Sequence, residues 1–291
     1  MSGAVPTGLG APAGPPSDGG RSLVARVLPP TIVVLLALGA WEAWVRLRDV
    51  PDYVLPPPSD VATTAVDSWH LLPGHLGTTL LETVLGLGLG AGAGLGVALL
   101  VSGVPLARRS LGPLLVASQT IPMIVLAPLF AIVFGFGLTP KVVVVALITF
   151  FPVAISTVAG LDGADGELVD MVRALGGGTG TVLRAVRGPA AIPSFVAGLR
   201  ISSAYAVAGA VIAEGTGGSQ GLGFFITRSQ ASFRVDRIIL AVVVVAAISA
   251  ALYGLVGLLG RLATPWQQAG SHPALPATPS TPVVPHPEVS P

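Results

Sequence analysis

Polar side chains are scarce in this chain, so those inside apolar sequence stand out. Gln119 and Thr120 precede Pro122 and Met123 in one apolar stretch. Ser202, Ser203 and Tyr205 make a polar patch in another, which Glu214 closes; Glu42, Glu82 and Arg200 interrupt further stretches. Such groups cost free energy in lipid and turn inward, where they either hydrogen-bond between helices or line a route for a polar solute. Both readings stay open for Gln119 and Thr120. Glu214 belongs to an outer gate or faces water, Glu42 and Glu82 are interfacial or paired, and Arg200 snorkels to a helix end. A catalytic set is missing. His70, His75, His272 and His286 form no metal-ligand cluster and no serine–histidine pattern. The absence of cysteine excludes thiol chemistry. A phosphate-binding loop needs G-x-x-x-x-G-K-[ST]. The only lysine, Lys141, follows "GFGLTP", and "GGGTGT" holds no lysine.

The elements that position these residues are membrane spans. The chain has 291 residues, 52% hydrophobic and 10% charged, with mean hydropathy +0.82. Soluble domains carry about 25% charged residues. A net charge of +1 gives no electrostatic reason to bind nucleic acid. About 20 apolar residues cross the hydrocarbon core. Six stretches qualify: Leu28 to Leu47, Leu76 to Val101, Leu111 to Phe136, Lys141 to Leu161, Ile192 to Ala213 and Ile238 to Leu262. The fold class is all-α, within residues 23–263. Residues 1–22 and 264–291 are rich in Pro and small residues and read as disordered tails. Pro113, Pro122 and Pro128 kink the third span, which predicts a helix lining a path. In the second, Gly86, Gly90 and Gly94 share one face and Gly88, Gly92 and Gly96 another, either for close packing or as a glycine-lined pore.

Charge orients the chain. With the N-terminus inside, Arg21, Arg26, Arg108, Arg109, Arg173, Arg184, Arg187 and Arg261 are inner. Arg46, Arg48, Lys141, Arg228, Arg234 and Arg237 are outer. The excess favours N-inside, and an even number of spans places both termini in the cytoplasm of a multi-pass plasma-membrane protein.

One inner segment, residues 162–191, is polar and hinged. Leu168, Met171, Val172 and Leu175 follow i, i+3, i+4, i+7 on a short helix. Asp165 or Asp162 caps it, and Glu167 sits in its first turn. Gly176, Gly177 and Gly178 stop it. A second helix carries Val182, Leu183 and Val186 on one face and Arg184 and Arg187 towards the other, and Gly188-Pro189 ends it. This is either an amphipathic hairpin on lipid headgroups or a docking element for a soluble partner.

The spacing resembles the "EAA" coupling loop of ABC importer permeases. Asp170-Met171-Val172 stands at Glu-Ala-Ala, Gly176 at the glycine, Val186 at the isoleucine and Gly188-Pro189 at Leu-Pro. Asp for Glu, larger residues for the alanines and Gly188 for Leu are departures. "ASQTIPMIVLAPLFAIVFGFGLTPKVVVVALITFFPVAISTVAGL" and "GPAAIPSFVAGLRISSAYAVAGAVIAEGTGGSQGLGFFI" are similar to the nitrate, sulfonate and taurine permeases. "ASQTIP", "ELVDMVRALG", "GLRISSAYAVAGAVIAE" and "SQASF" look most like the branch importing the pyrimidine precursor of thiamine.

The resemblance implies a type I importer permease that is not an enzyme. It implies a cytoplasmic ABC ATPase holding ATP and Mg, an extracytoplasmic binding protein, a second copy of the chain, and surrounding lipid. Leu168, Asp170, Val172, Arg173, Leu175, Gly176, Val186 and Pro189 become the ATPase-coupling residues, with Leu168, Val172 and Leu175 inserting into a groove. Gln119, Thr120, Met123, Tyr205 and Glu214 become candidates for the path, Tyr205 either stacking on a flat pyrimidine or packing. The same machinery could carry nitrate, sulfonate or taurine. An ion-coupled secondary transporter is the alternative class, disfavoured because no internal repeat stands out and mid-span acids are scarce. An intramembrane enzyme is disfavoured for want of a catalytic set.

Overall fold

The computed structural model describes residues 23–118 and 122–265. The expected tails lie largely, and Gln119 and Thr120 entirely, outside them. All elements among the described residues are helical. In chain order they are α1 (Leu23–Leu47), α2 (Pro58–Asp67), α3 (Leu72–Gly103), α4 (Pro105–Ser118), α5 (Met123–Phe134) and α6 (Leu138–Asp162). There follow α7 (Gly166–Ala174), α8 (Thr179–Val182), α9 (Gly188–Gly215), α10 (Leu222–Ala231) and α11 (Val235–Ala263).

Among the described residues five helices are long and apolar enough to span, against the six stretches read from sequence. The difference is the third stretch, which is divided between α4 and α5. Pro122 precedes α5 in an extended conformation, φ −69° and ψ 98°. It has no N–H to give, and its ring disfavours helix in the residue before it. Twelve residues of α5 rise about 18 Å, short of the hydrocarbon thickness.

The packing of the bundle follows from its glycines. A side chain at Gly86 would overlap Val145, and one at Gly90 would overlap Thr149 and the carbonyl of Ala146. At Gly94 it would come within 2.9 Å of the Phe150 carbonyl. The pairs 86–145, 90–149 and 94–153 ascend together, so α3 and α6 run parallel with backbones nearly touching. Around Gly88, Gly92 and Gly96 nothing lies within 4 Å. The first glycine face is thus the packing face, and the second is open in the single chain. On the other side of α6, Gly160 meets Ser194 and Ala191, while Gly198 meets Pro152 and Ser156. These pairs run oppositely, so α9 is antiparallel to α6. Arg200 against Gly257 and Val196 against Gly260 set α11 antiparallel to α9.

The bundle therefore has two ends. The starts of α3, α6 and α11 and the finish of α9 share one; the α7–α8 loop and the end of α11 share the other. α1 is fastened at the first end, where Glu42 accepts from Ser59 N (3.1 Å) and Ser59 Oγ (2.9 Å) and pairs with Arg46. Overpacking a tight interface costs about 1–3 kcal/mol. Gly90→Val is therefore expected to lower the thermal unfolding midpoint in detergent by several degrees. Gly92→Val, on the open face, leaves it unchanged.

Candidate functional site

The hinged segment begins with a capped helix. Asp165 accepts the Glu167 N–H at 2.9 Å, fixing the start of α7. At its other end Gly176 N bonds Arg173 O and Gly177 N bonds Val172 O, both at 2.9 Å, with Gly176 at φ +86°. This is a Schellman closure, which glycine accommodates without strain. Of the expected stripe, Leu168, Met171 and Leu175 are exposed, by 46%, 54% and 81%. Val172 is half-buried against Gly177, and Val169 is buried. The outward apolar set is thus Leu168, Met171 and Leu175, and Val172 packs within the loop. Asp170 and Arg173 form an exposed ion pair at 3.7 Å.

The second half departs from expectation. Gly188-Pro189 does not end a helix; the chain is helical from Thr179 to Gly215. Between α8 and α9 lies one wide π turn, Leu183–Arg187, in which Gly188 N bonds Leu183 O. Inside an α-helix, a proline ring clashes with the carbonyl four residues back. The widened turn preceding Pro189 relieves that conflict, and Pro189 enters α9 in its first turn. Val182 is buried, while Leu183 packs near Ala98, Leu161 and Ala191. Val186 and Arg187 are half-buried and Arg184 is exposed.

A second polar constellation sits at the opposite end. Lys141 Nζ donates to Glu82 Oε1 at 2.7 Å, joining α6 to α3. Glu214, on α9, accepts from Thr79 Oγ1 at 2.6 Å and from Gly223 N at 2.6 Å. Leu222 N donates to Thr79 Oγ1 (2.9 Å), and Gly221 N to His75 Nδ1 (3.1 Å). Both glutamates are only 1% exposed, and Lys141 is 7% exposed. The loop from α9 to α10 can lie against them because it is glycine-rich. Gly221, at φ +112°, leaves no room for a side chain beside the Glu214 carboxyl, and a Cβ at Gly218 would lie 3.2 Å from Lys141 Nζ.

This decides between several expectations. Of the readings left open, Glu214 does not face water and Glu82 is paired, with Lys141. His75 belongs to the first turns of α3. Arg200 does not reach for the helix end; its guanidinium lies 4.3 Å over the Tyr253 ring on α11. Tyr205 is 57% exposed in the single chain, and Met123 opens α5. The sequence signal for the Lys141 cluster was the lone lysine, opening one apolar span while two other spans each held an acid.

A multispan helical bundle that carries a helix–bend–helix at one end has the form of a transport subunit. The family described as binding-protein-dependent transport system inner membrane component matches residues 75–265. The chain belongs to this family and is a permease subunit of an ABC importer, a multi-pass membrane protein. It is 37% identical to a probable ABC transporter permease protein of Haemophilus influenzae, over 75% of this chain and 89% of that one. It is 35% identical to the formylaminopyrimidine transport permease protein ThiX of Halalkalibacterium halodurans, over 72% and 83%. It is 39% identical to the riboflavin transport system permease protein RibX of Chloroflexus aurantiacus, over 74% and 80%. In fold it is similar to the MetNI methionine ABC transporter in an inward-facing conformation, at TM-score 0.59 and 20% identity, covering 67% of this chain and 97% of that one.

Removing one partner from a buried ion pair costs about 3–5 kcal/mol. Lys141→Met should therefore destabilise the bundle severely in detergent, and adding Glu82→Gln should recover part of the loss. A midpoint for Lys141→Met equal to wild type would show that the pair does not hold α3 to α6.

Proposed function

We propose that two copies of this chain form the path by which a thiamine pyrimidine precursor, of the hydroxymethylpyrimidine type, enters the cell. An extracytoplasmic binding protein delivers the solute, and a cytoplasmic ABC ATPase, which holds the ATP and Mg, supplies the work. One observation carries the mechanical part. Leu168, Met171 and Leu175 present an uncovered apolar face on a short, doubly closed helix. That face has the pattern of a helix that docks in a groove. In this reading α7 is the element the ATPase grips, with Gly176 shaping the bend and the Asp170–Arg173 pair at its rim. Val172 and Val186 brace the loop from within.

The grip is transmitted by a helix. Thr179–Gly215 is 37 residues, about 55 Å, with Pro189 near its start and Glu214 at its far end. A rigid element of that length carries motion from the loop to the opposite end of the bundle, as a rigid-body switch requires. The α7 end is then cytoplasmic. The face of α9 that bears Ile201, Ala204, Tyr205 and Ala208 is uncovered in one copy. A second copy closes it, placing Tyr205 beside the solute path. Gln119, Thr120 and Met123 remain the sequence candidates for the rest of the lining, and lipid surrounds the assembly.

The pyrimidine reading rests on the sequence blocks given above and on the relative named for formylaminopyrimidine transport. Relatives named for aliphatic sulfonates and for taurine, at 30% and 31% identity, mark the alternative cargo. Two measurements test the proposal. Leu168→Asp with Leu175→Asp should abolish co-purification of the ATPase while the thermal midpoint of the permease stays within about a degree. Retained co-purification would sink the docking role. Affinity of the partnering binding protein should be highest for aminopyrimidines. Tighter binding of taurine, alkanesulfonates, nitrate or riboflavin would reassign the cargo.

A further inference from the structure

At the end of the bundle opposite α7, a cavity of about 400 Å³ opens between the starts of α3 and α11 and the helix α10. Leu71, His75, Phe224 and Phe225 wall it, and Arg228 and Arg237 reach it from two different helices. No carboxylate lines it. The one nearby acid on α11 is already committed. Asp236 accepts from Arg234 through Nε at 3.0 Å and Nη2 at 2.6 Å, and from Thr64 Oγ1 at 2.8 Å. Arg237, the next residue, therefore has no acid to pair with, and its Nε is enclosed without a hydrogen-bond partner. Among the described residues neither Arg228 nor Arg237 makes an ion pair.

Two guanidiniums lining one cavity repel each other unless an anion joins them, and the enclosed Nε of Arg237 is left without an acceptor. The neighbouring cavity, lined by Asp52, Asp60 and Arg234, makes no such demand, because its arginine is already paired with Asp236. The forked donors of arginine suit phosphate oxygens. Height in the membrane agrees. Arg237 is in the first turn of α11 and His75 in the first turns of α3, where spans leave the hydrocarbon and headgroups lie. A cavity of this size admits a phosphate together with the small group it carries.

We propose that this cavity is a phosphate site, joined by Arg228 and Arg237, which takes the phosphate of a lipid headgroup or a free one. The site holds α10 to the start of α11 through the bound anion, whichever solute the importer carries.

The importer, purified with its ATPase, can be titrated with phosphatidylglycerol and separately with inorganic phosphate, by native mass spectrometry and by calorimetry. Each guanidinium lost should weaken binding roughly tenfold, so Arg228→Gln with Arg237→Gln is expected to lose about a hundredfold. Arg109→Gln, at the other end of the bundle, leaves binding as in wild type. Loss of phosphatidylglycerol binding with no inorganic phosphate bound at millimolar concentration identifies the headgroup as the source. Arginine-dependent binding of inorganic phosphate, with lipid bound equally by wild type and variant, identifies a free anion. Equal behaviour of wild type and double variant towards both ligands overturns the site. If the double variant does not purify intact, Arg228→Gln alone reads the tenfold step, because Arg228 is exposed and its removal opens no buried space.

Discussion

Apolar helices gain nothing from meeting one another in lipid, since the tails they leave are as apolar as their own surfaces. They stay together only where backbones approach closely enough for dense van der Waals contact. Here that constraint falls on α6. Glycines of α3 admit it on one side, and Gly160, Gly198 and Gly209 set its contact with α9 on the other. Ser202 Oγ, donating to the Thr149 carbonyl at 2.9 Å, adds a polar contact at mid-depth. Everything else in the molecule is placed relative to this three-helix slab.

The slab explains why charged groups can be buried at one end of it. Lys141 meets Glu82 because α3 and α6 run parallel and in register. Glu214 meets Thr79 and the start of α10 because α9 returns to the same level. Taking such charges from water is costly, and mutual pairing with backbone donors offsets much of that cost. The opposite end is built differently. Arg108 bonds Asp162 at 2.7 Å, an exposed pair that ties α4 to the end of α6, and beyond it the loop stands clear with its apolar face uncovered. At one end buried polar side chains are paired within the chain, and at the other an apolar helix face is left uncovered.

Much of this was legible in the sequence. Five of the six spans, the glycine faces and the capped, glycine-stopped helix of the loop follow from periodicity and local chemistry, and the structure keeps them with their ends moved. What was not legible required knowing which helices are neighbours. Val172 fits the apolar spacing of α7 as well as Leu168 does; only the fold of Gly177 back onto it shows that it faces inward. Glu82, Lys141 and Glu214 lie far apart in the chain, and nothing local states that they converge. Gly188-Pro189 has the local signature of a helix end, and the helix continues because one wide turn precedes it. Conversely, Pro122 does divide what hydropathy alone reads as a single span.

That wide turn has a bearing on how the loop is aimed. A π turn is one surplus residue accommodated within an otherwise regular helix. Each residue advances a helix by about 100°. Were Leu183–Arg187 to wind as regular α-helix at the same length, the surplus residue would no longer be absorbed, and α8, the bend and α7 would swing by about that angle around the axis of α9. The apolar triplet would then point along a different azimuth, with all its side chains intact. The direction in which the bundle offers that apolar face is thus set by the winding of one turn rather than by the identity of the residues on the face.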